Sequence, residues 1–260
     1  MLVSERRERI LAHVREHGTA TIPELSGLLG VSPMTIRRDI DLLADEGAVR
    51  KVRGGVRAAL GAASVRTPAA SVSRERREVA ALAAGLVEPG MAVGISGGAI
   101  SLALAEALAA VPELTIVTNA LGVSDLFARP DRADEPYTQT VVLTGGVRTP
   151  AQALVGPVAV RALEQLHCDI VFLDVHGLDV QAGMTTMNLL EAETDRAFMA
   201  AGREVVVLAD HRRWGLVGLT TIADLSDIDR LVIDAGLDQP AREQLGAHVG
   251  ELLIAGDHVS

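Results

Sequence analysis

The residues best suited to chemistry in this chain are cations that recur near residue 40, in a pattern typical of DNA recognition. If TIRRDIDLLADEG is a helix, Ile36, Ile40 and Leu43 fall on one side of it. The other side and its flanks then carry, near the helix start, Met34, Thr35, Arg37 and Arg38. A helix that enters the major groove presents this end to base edges, where arginine can bond guanine through two hydrogen bonds.

The next segment, AVRKVRGGVR, predicts a basic β-hairpin directly after that helix. Valines alternate with cations and Gly54-Gly55 supplies a turn; the cations are Arg50, Lys51, Arg53 and Arg57. Such a hairpin suits contact with phosphates or with the minor groove. The alternative is that residues 1–57 form an ordinary small helical unit whose charges are only solvated, because short helical hairpins are common. The hairpin beside exposed arginines favours DNA binding.

Cap and end signals predict three helices around these residues. The predicted N-caps are Ser4, Thr21 and Ser32, and the predicted C-terminal glycines are Gly18, Gly30 and Gly47. Thr21 and Glu24 also have the spacing of a capping box. We count Thr21 and Ser32 among the candidate DNA-binding residues. Together these signals predict a winged helix-turn-helix over residues 1–57.

A second group of candidate residues follows β-branched runs in the larger, C-terminal part of the chain. The strand-end candidates for binding a small anion are Ser96, Gly97, Gly98, Ser101, Thr118, Asn119, Gly145, Gly146, Asp174, Asp210 and Arg213. Glycine-rich turns expose backbone N–H groups to an anion, arginine holds phosphate or carboxylate, and Asp or Asn can bond sugar hydroxyls. Each has a plain alternative, since such residues also form tight turns and caps.

These runs predict the fold class of the larger part. MAVGIS, LTIVT, TVVLTGG, IVFLDV, EVVVLAD and RLVID alternate with helical patterns, beginning with a helix from Ser73 to Gly85. Alternation of this kind predicts an α/β domain with a mostly parallel sheet covered by helices, over residues 73–260. Residues 58–72 are rich in Gly, Ala and Ser and predict a linker.

Charge and composition limit the other functions. The net charge is −10, yet residues 1–57 carry +2 and the remainder −12. No apolar run predicts a membrane span, and the charged start is not a secretory signal, so we expect a cytoplasmic protein with no membrane partner. We expect Cys168 to be buried and inert. No motif predicts a catalytic pair, a metal site or a cofactor, so we expect no enzyme.

The same segments resemble the DeoR family of bacterial repressors. RRERILAHVREHG and ELSGLLGVSPMTIRRDIDLLADEGAVRKVRGG are similar to its DNA-binding module, and SGGAISLALAEAL, TIVTNAL, VVLTGGV, CDIVFLDVHGLDVQAGMTT, NLLEAETDRAFM and VVLADHRRWG are similar to its sensor domain. The chain departs from the family's usual residues at Arg53, at Ala99-Ile100, at Asp195 and at Arg213. The resemblance implies a fold similar to sugar-phosphate isomerases, with a phosphorylated sugar as effector.

Three functions are compatible with these observations. The first is a regulator, by family habit a repressor, that binds a double-stranded operator as a homo-oligomer and responds to a small anionic metabolite. The second is an isomerase-like enzyme acting on sugar phosphates. The third is a DNA-binding protein whose α/β domain serves only for oligomerisation.

Overall fold

The structure is a computed structural model, and it describes residues 3–17, 19–45, 49–52, 55–58, 73–127 and 139–256. The chain divides into two compact units, Met1–Arg66 and Thr67–Ser260. The predicted linker, apart from Ala58, lies outside the described residues, as do Gly18, Gly47, Arg53 and Gly54.

The first unit contains three helices and a small antiparallel sheet with strand order β1-β3-β2. Its elements are α1 (Val3–His17), β1 (Thr19–Thr21), α2 (Ile22–Leu29), α3 (Pro33–Asp45), β2 (Val49–Val52) and β3 (Gly55–Ala58). Thr21 and Glu24 form the predicted capping box, and Gly30 ends α2 with a left-handed φ of 64°. The predicted helices and basic hairpin are therefore present.

Three details of this unit differ from the sequence interpretation. Helix α1 begins at Val3, so Ser4 lies inside it rather than at its N-cap. Ala58 was assigned to the linker but pairs with Val49 in the hairpin. Gly55 was assigned to the turn but is a strand residue opposite Thr21, where a β-carbon would lie 2.3 Å from the carbonyl oxygen of Ala20. The close approach of two backbones therefore requires glycine there.

A buried carboxylate ties α1 to α3. Asp39 is 2% exposed and accepts hydrogen bonds from Arg6 Nε at 2.6 Å and from Arg6 Nη2 at 3.2 Å. Arg7 Nε lies 3.5 Å from the same carboxylate. Because a two-pronged guanidinium contact fixes both distance and angle, this pair sets how α3 is held against the rest of the unit.

The second unit is an α/β domain. Its helices are α4 (Arg74–Ala84), α5 (Ala99–Leu108), α6 (Leu121–Phe127), α7 (Pro157–Leu163), α8 (Leu189–Ala201) and α9 (Gln239–Gly246). Its strands are β4 (Ala92–Ile95), β5 (Thr115–Thr118), β6 (Thr140–Leu143), β7 (Val147–Arg148), β8 (Leu154–Val155), β9 (Ile170–Asp174), β10 (Gly177–Asp179), β11 (Gly183–Thr186), β12 (Val205–Ala209), β13 (Thr220–Ala223), β14 (Arg230–Asp234) and β15 (Glu251–Ala255). Ser73 caps α4, as predicted.

Seven of these strands form one parallel sheet, in the order β15-β14-β12-β9-β4-β5-β6. Alternate strand residues face opposite sides: Ile170 and Phe172 pack with α4, α5 and α6, whereas Val171 and Leu173 pack with α7, α8 and α9. The predicted parallel sheet covered by helices is confirmed. The chain leaves β4 in one direction along the sheet and later returns to its other side at β9.

The sequence interpretation missed the smaller strands and one edge strand. β15 completes the large sheet beside β14, and β10, β11 and β13 form a separate antiparallel sheet. Most of these segments are only two to four residues long, so their alternation is too short to distinguish from a loop. No described helix has both the length and the apolar character needed to cross a membrane.

Replacing Gly55 by alanine tests the close approach of β1 and β3. We expect Gly55→Ala to destabilise the first unit by about 1–3 kcal/mol, because neither backbone can move away cheaply. Gly27→Ala is the matched control, since nothing lies within 4 Å of the added methyl group and alanine favours the helix. Hydrogen exchange of the β1 and β3 amides measures both effects. Unchanged protection in Gly55→Ala would contradict the assignment.

Candidate functional site

The exposed side of α3 carries the predicted base-contacting residues. Ile36, Ile40 and Leu43 are buried, while Arg37 and Arg38 are exposed and Met34 is 69% exposed. Thr35 is partly buried, and its Oγ1 lies 2.9 Å from Ser32 Oγ, which also accepts the Thr35 amide at 3.2 Å. Ser32 is thus the cap of α3, and the start of this helix is open to a large ligand.

The hairpin β2–β3 brings basic residues next to each other. Arg50 lies directly opposite Arg57 in the strand register. The side chains of both lie outside the described part of the structure, so only their backbone positions are known. Lys51 is half exposed, with its Nζ 2.7 Å from Asp41 on α3. Two cations opposite each other repel, so a run of phosphates is a suitable partner for this hairpin.

The second candidate site lies where the order of the parallel sheet reverses. The chain runs outward from β4 to β5 and β6, then returns to form β9 on the other side of β4. In open α/β sheets, ligands bind beyond the carboxyl ends of the strands at such a point. Here Ser96, Gly97 and Gly98 follow β4, and Asp174 ends β9.

Asp174 already contacts the loop that follows β4. Its Oδ2 accepts the Ile100 amide at 2.9 Å, and Ser96 Oγ accepts the Asp174 amide at 3.2 Å. A β-carbon at Gly98 would lie 2.1 Å from Asp174 Oδ2, so the carboxylate fits only against glycine. Asp174 therefore takes one of the N–H groups at the start of α5 that the sequence suggested for an anion.

Arg213 is held at this edge by a short, anchored turn. Residues His211–Arg213 form a 3₁₀ turn after β12, and Arg213 Nη1 donates to the His176 carbonyl at 3.4 Å. The Arg213 charge also favours the ionised form of Asp174, which opposes the rise in its pKa caused by burial. Arg213 is therefore the cation that faces the end of β9.

Asp210 holds this turn in place rather than pointing to an open site. It is 1% exposed, and its oxygens accept from Arg76 Nε at 2.9 Å and from Arg212 Nε at 3.1 Å. Burial alone would raise the pKa of Asp210, but the hydrogen bonds from Arg212 and Arg76 outweigh it and lower that pKa to about 2. Asp210 is a positioning residue for the turn that carries Arg213.

Sequence reasoning missed a second anchor of the same turn. Asp234, at the end of β14, is 1% exposed and accepts the His211 amide at 2.6 Å. Its other oxygen lies 2.7 Å from His211 Nδ1. The sequence signal for Asp234 is its position directly after the apolar residues LVI. Asp174 and Asp210 likewise directly follow the apolar residues of their strands.

The remaining predicted strand-end residues are placed as follows. Thr118 Oγ1 donates to the Ile95 carbonyl at 2.7 Å and accepts the Ala120 amide at 3.0 Å, so it joins β4 to β5. Asn119 Nδ2 donates to the Leu154 carbonyl at 3.1 Å. Among the described residues, Asn119 Oδ1 and Ser101 Oγ are buried without a hydrogen-bond partner. Gly145 and Gly146 form the turn after β6, with φ of 75° and 127°.

Two further carboxyl groups lie on α8, and one of them, Asp195, lies near enough to Asp174 to be influenced by its charge. Glu191 accepts a hydrogen bond from Thr186 Oγ1 at 3.0 Å, and Asp195 follows one helical turn later. Burial raises the pKa of Asp195 well above its ordinary value, and the nearby charges of Glu191 and Asp174 raise it further. The i, i+4 spacing in EAETD is the sequence signal for this cluster, and the repulsion within it favours the protonated form of Asp195.

Other reactive groups are set apart from these sites. Cys168 is buried as predicted, and burial raises the pKa of its thiol to about 11, so it is a poor nucleophile at neutral pH. Within the described ranges, no three His, Cys, Asp or Glu side chains are placed to hold a metal ion.

Both units of the chain match domains of known proteins. Residues 6–60 match the DeoR-like helix-turn-helix domain, and residues 71–235 match the DeoR C-terminal sensor domain. The chain is 32% identical to the uncharacterized HTH-type transcriptional regulator YgbI of Escherichia coli K12, over 98% of this chain and 99% of that protein. It is 29% identical to the glycerol-3-phosphate regulon repressor of the same strain, over 90% of this chain and 92% of that protein.

A solved structure is also similar in part. Ribose 5-phosphate isomerase A from Neisseria gonorrhoeae aligns with a TM-score of 0.39 and 16% identity, over 55% of this chain and 54% of that one. The alignment thus spans about half of either protein.

The low pKa of Asp210 predicts a pH-dependent contribution to stability. We expect Asp210→Asn to lower the free energy of unfolding of the second unit by about 2 kcal/mol at pH 7. Since the folded pKa lies below the ordinary 3.8, this difference is complete above pH 4 and disappears as the pH falls through about 2. Trp214 is the only tryptophan and lies beside the turn, so its fluorescence reports the unfolding.

The exposed carboxylate Glu88 provides the control for this measurement. Glu88→Gln is expected to leave the free energy of unfolding unchanged at both ends of the pH range. A difference between Asp210→Asn and the wild type that persists undiminished at pH 2 would show that the side chain contributes by shape and not by charge.

Proposed function

Because the chain belongs to the DeoR family of DNA-binding transcriptional regulators, we propose that α3 and the hairpin β2–β3 bind its operator. The observation that carries this proposal is the division of α3 into two faces. Ile36, Ile40 and Leu43 are buried, whereas Arg37 and Arg38 point outward near the helix start. A helix with this arrangement can enter the major groove without losing its packing.

Within this interface, the residues divide by their expected role. Met34, Arg37 and Arg38 stand where a recognition helix meets base edges, with Thr35 and Ser32 at its start. The hairpin cations Arg50, Lys51, Arg53 and Arg57 are assigned to phosphates or to the minor groove. Thr21 has a supporting role, because it caps α2 and leads from β1 into it. The operator is double-stranded DNA, and we place the protein in the cytoplasm with its operator.

The second unit is proposed to sense a small anionic metabolite, of which a phosphorylated sugar is the favoured class. Arg213 is the cation at the sheet edge, and one 29%-identical relative is named a glycerol-3-phosphate regulon repressor. The phosphate is assigned to Arg213 and the turns at Gly97-Gly98 and Gly145-Gly146. Sugar hydroxyls are assigned to Asp174, to Asn119 and to Ser101, whose buried oxygen lacks a partner among the described residues.

The carboxyl groups at this edge suit the polar end of the ligand. Asp174, Glu191 and Asp195 offer an anion no positive charge, so we assign the phosphate to the Arg213 side and the hydroxyls toward α8. A hydroxyl group can donate a hydrogen bond to each of these carboxylates. This arrangement favours an effector with a charged end and a polyol end over a small inorganic anion.

Regulation requires that the effector bind one arrangement of the protein better than another. We assign repression to the unliganded protein, because a relative is named a repressor and the effector must favour one arrangement over the other. The protein is proposed to act as a homo-oligomer, because one helix-turn-helix module reads only one half-site.

No catalytic activity is proposed. Asp210 is held by two arginines, so its carboxylate is not placed to act as a general base. Incubating the purified protein with aldose and ketose phosphates and following their interconversion tests this: turnover would favour the isomerase alternative.

The direct test of the regulator function is DNA binding by the full chain. Fluorescence anisotropy with labelled DNA from upstream of its own gene measures affinity, and a panel of sugar phosphates is then titrated into the complex. Release by one sugar phosphate, but not by inorganic phosphate, supports both parts of the proposal. DNA binding that no sugar phosphate changes supports the alternative in which the second unit only oligomerises.

Arg38→Ala tests base recognition. We expect it to lower the affinity for the operator by about 1–3 kcal/mol and to leave binding to scrambled DNA nearly unchanged, because a base contact carries sequence information. Lys51→Ala is the contrasting variant: it should weaken binding to every sequence and reduce the slope of log K against log salt by about one. An equal loss on both DNAs for Arg38→Ala would make it a phosphate contact.

Arg213→Ala tests the effector site. The concentration of sugar phosphate that releases half of the DNA should rise on the order of 10- to 100-fold, because a charge-assisted hydrogen bond is lost. Operator affinity without effector should stay at the wild-type value. The control is Arg203→Ala, whose side chain is 85% exposed in the same unit. An unchanged effector response in Arg213→Ala would place the anion elsewhere.

A further inference from the structure

The exposed apolar side chains of the second unit are concentrated at one edge. Nine of the eleven large ones described in this unit lie in residues 143–158, 187–190 and 216–219, which we name the apolar rim. Leu219 is 68% exposed, and Val158 and Leu189 are each 61% exposed. Isolated exposed apolar residues are ordinary on a protein surface, whereas a concentration of this kind marks an interaction surface.

Contacts between the segments make the rim continuous. A β-carbon at Gly145 would lie 3.5 Å from Val158, and one at Gly156 would lie 3.8 Å from both terminal methyls of Leu190. A β-carbon at Gly218 would lie 2.5 Å from the carbonyl oxygen of Thr186, which directly precedes Met187. The rim therefore runs from the end of β6, across the start of α7 and the start of α8, to the loop before β13.

The charge distribution points to what covers this surface. Beyond residue 57 the chain carries 26 of its 34 acidic residues and a net charge of −12. None of those 26 lies in the three segments of the rim, residues 143–158, 187–190 and 216–219. Two copies of this unit would repel each other at most other faces, but they can meet at the rim without desolvating a carboxylate.

We propose that the apolar rim is the surface through which two copies of the second unit associate. Exposed charges of both signs border it: Arg161 on α7 and Glu193 on α8. A hydrophobic centre with a charged margin is the usual composition of a protein interface. The two copies supply the pair of DNA-binding units that two half-sites need, so this proposal rests in part on the proposed function.

The position of the rim also links assembly to effector binding. Leu190 on the rim is followed by Glu191, and Leu143 is followed within three residues by the Gly145-Gly146 turn. Both belong to the proposed effector site. A ligand that moves the start of α8 or this turn therefore alters the surface on which the second copy sits.

The test is the oligomeric state of the full chain. Val158→Asp and Leu189→Asp each place two unpaired carboxylates in the proposed interface, one from each copy. We expect each to raise the dissociation constant of the assembly on the order of 100-fold or more, measured by sedimentation velocity across a wide range of concentration. Leu82→Asp is the matched control, because Leu82 is exposed on α4, outside the rim, and should leave the assembly unchanged.

Thermal unfolding of each variant shows whether it is folded. For any Asp variant that melts differently from the wild type, Val158→Ser and Leu189→Ser replace it, since they remove apolar area without adding charge. A wild type that sediments as a single chain at every concentration overturns the proposal, as do rim variants that keep the wild-type state. Operator binding by the wild type is measured in parallel, so failure of the interface and failure of the proposed function give different results.

Discussion

The hydrogen bond from the Ile100 amide to the Asp174 carboxylate joins the two halves of the parallel sheet where their order reverses. It brings the end of β9 against the start of α5, and it explains the glycine at position 98, where any β-carbon would collide with the carboxylate. With Asp174 fixed there, the charges of Arg213 and Arg76 oppose the rise in its pKa that burial causes. The proposed effector site depends on this contact more than on any single glycine turn.

Both units contain the same kind of buried ion pair. A buried aspartate receives an arginine from a distant part of the chain: Asp39 from Arg6 in the first unit, and Asp210 from Arg76 in the second. Removing one partner would leave a buried charge without compensation, so such pairs strongly favour one geometry even when they add little to net stability. Helix α3 and the turn that carries Arg213 are therefore both held by a buried ion pair.

What the sequence predicts well is what depends on neighbours along the chain. The two faces of α3, the caps at Thr21, Ser32 and Ser73, and the six β-branched runs follow from local periodicity and local hydrogen bonds. Asp39 and Asp210 pair with residues 33 and 134 positions away, and the requirement for glycine at Gly55 comes from the backbone of Ala20. These depend on tertiary packing, which has no local signature. The spacing of Glu191 and Asp195 on α8 can be read from the sequence, but the effect of Asp174 on Asp195 depends on the fold.

The charge of the first unit limits how it can recognise DNA. Residues 1–57 carry only +2, and one of the hairpin cations, Lys51, lies in an ion pair with Asp41. Affinity from phosphate contacts alone grows with the number of counterions released, so a unit with few net charges gains little from unspecific binding. Under the proposal that α3 enters the major groove, discrimination then depends on base contacts from the outward residues at the start of α3. The small net charge of this unit therefore increases the dependence of operator recognition on the geometry that Asp39 and Arg6 impose on α3.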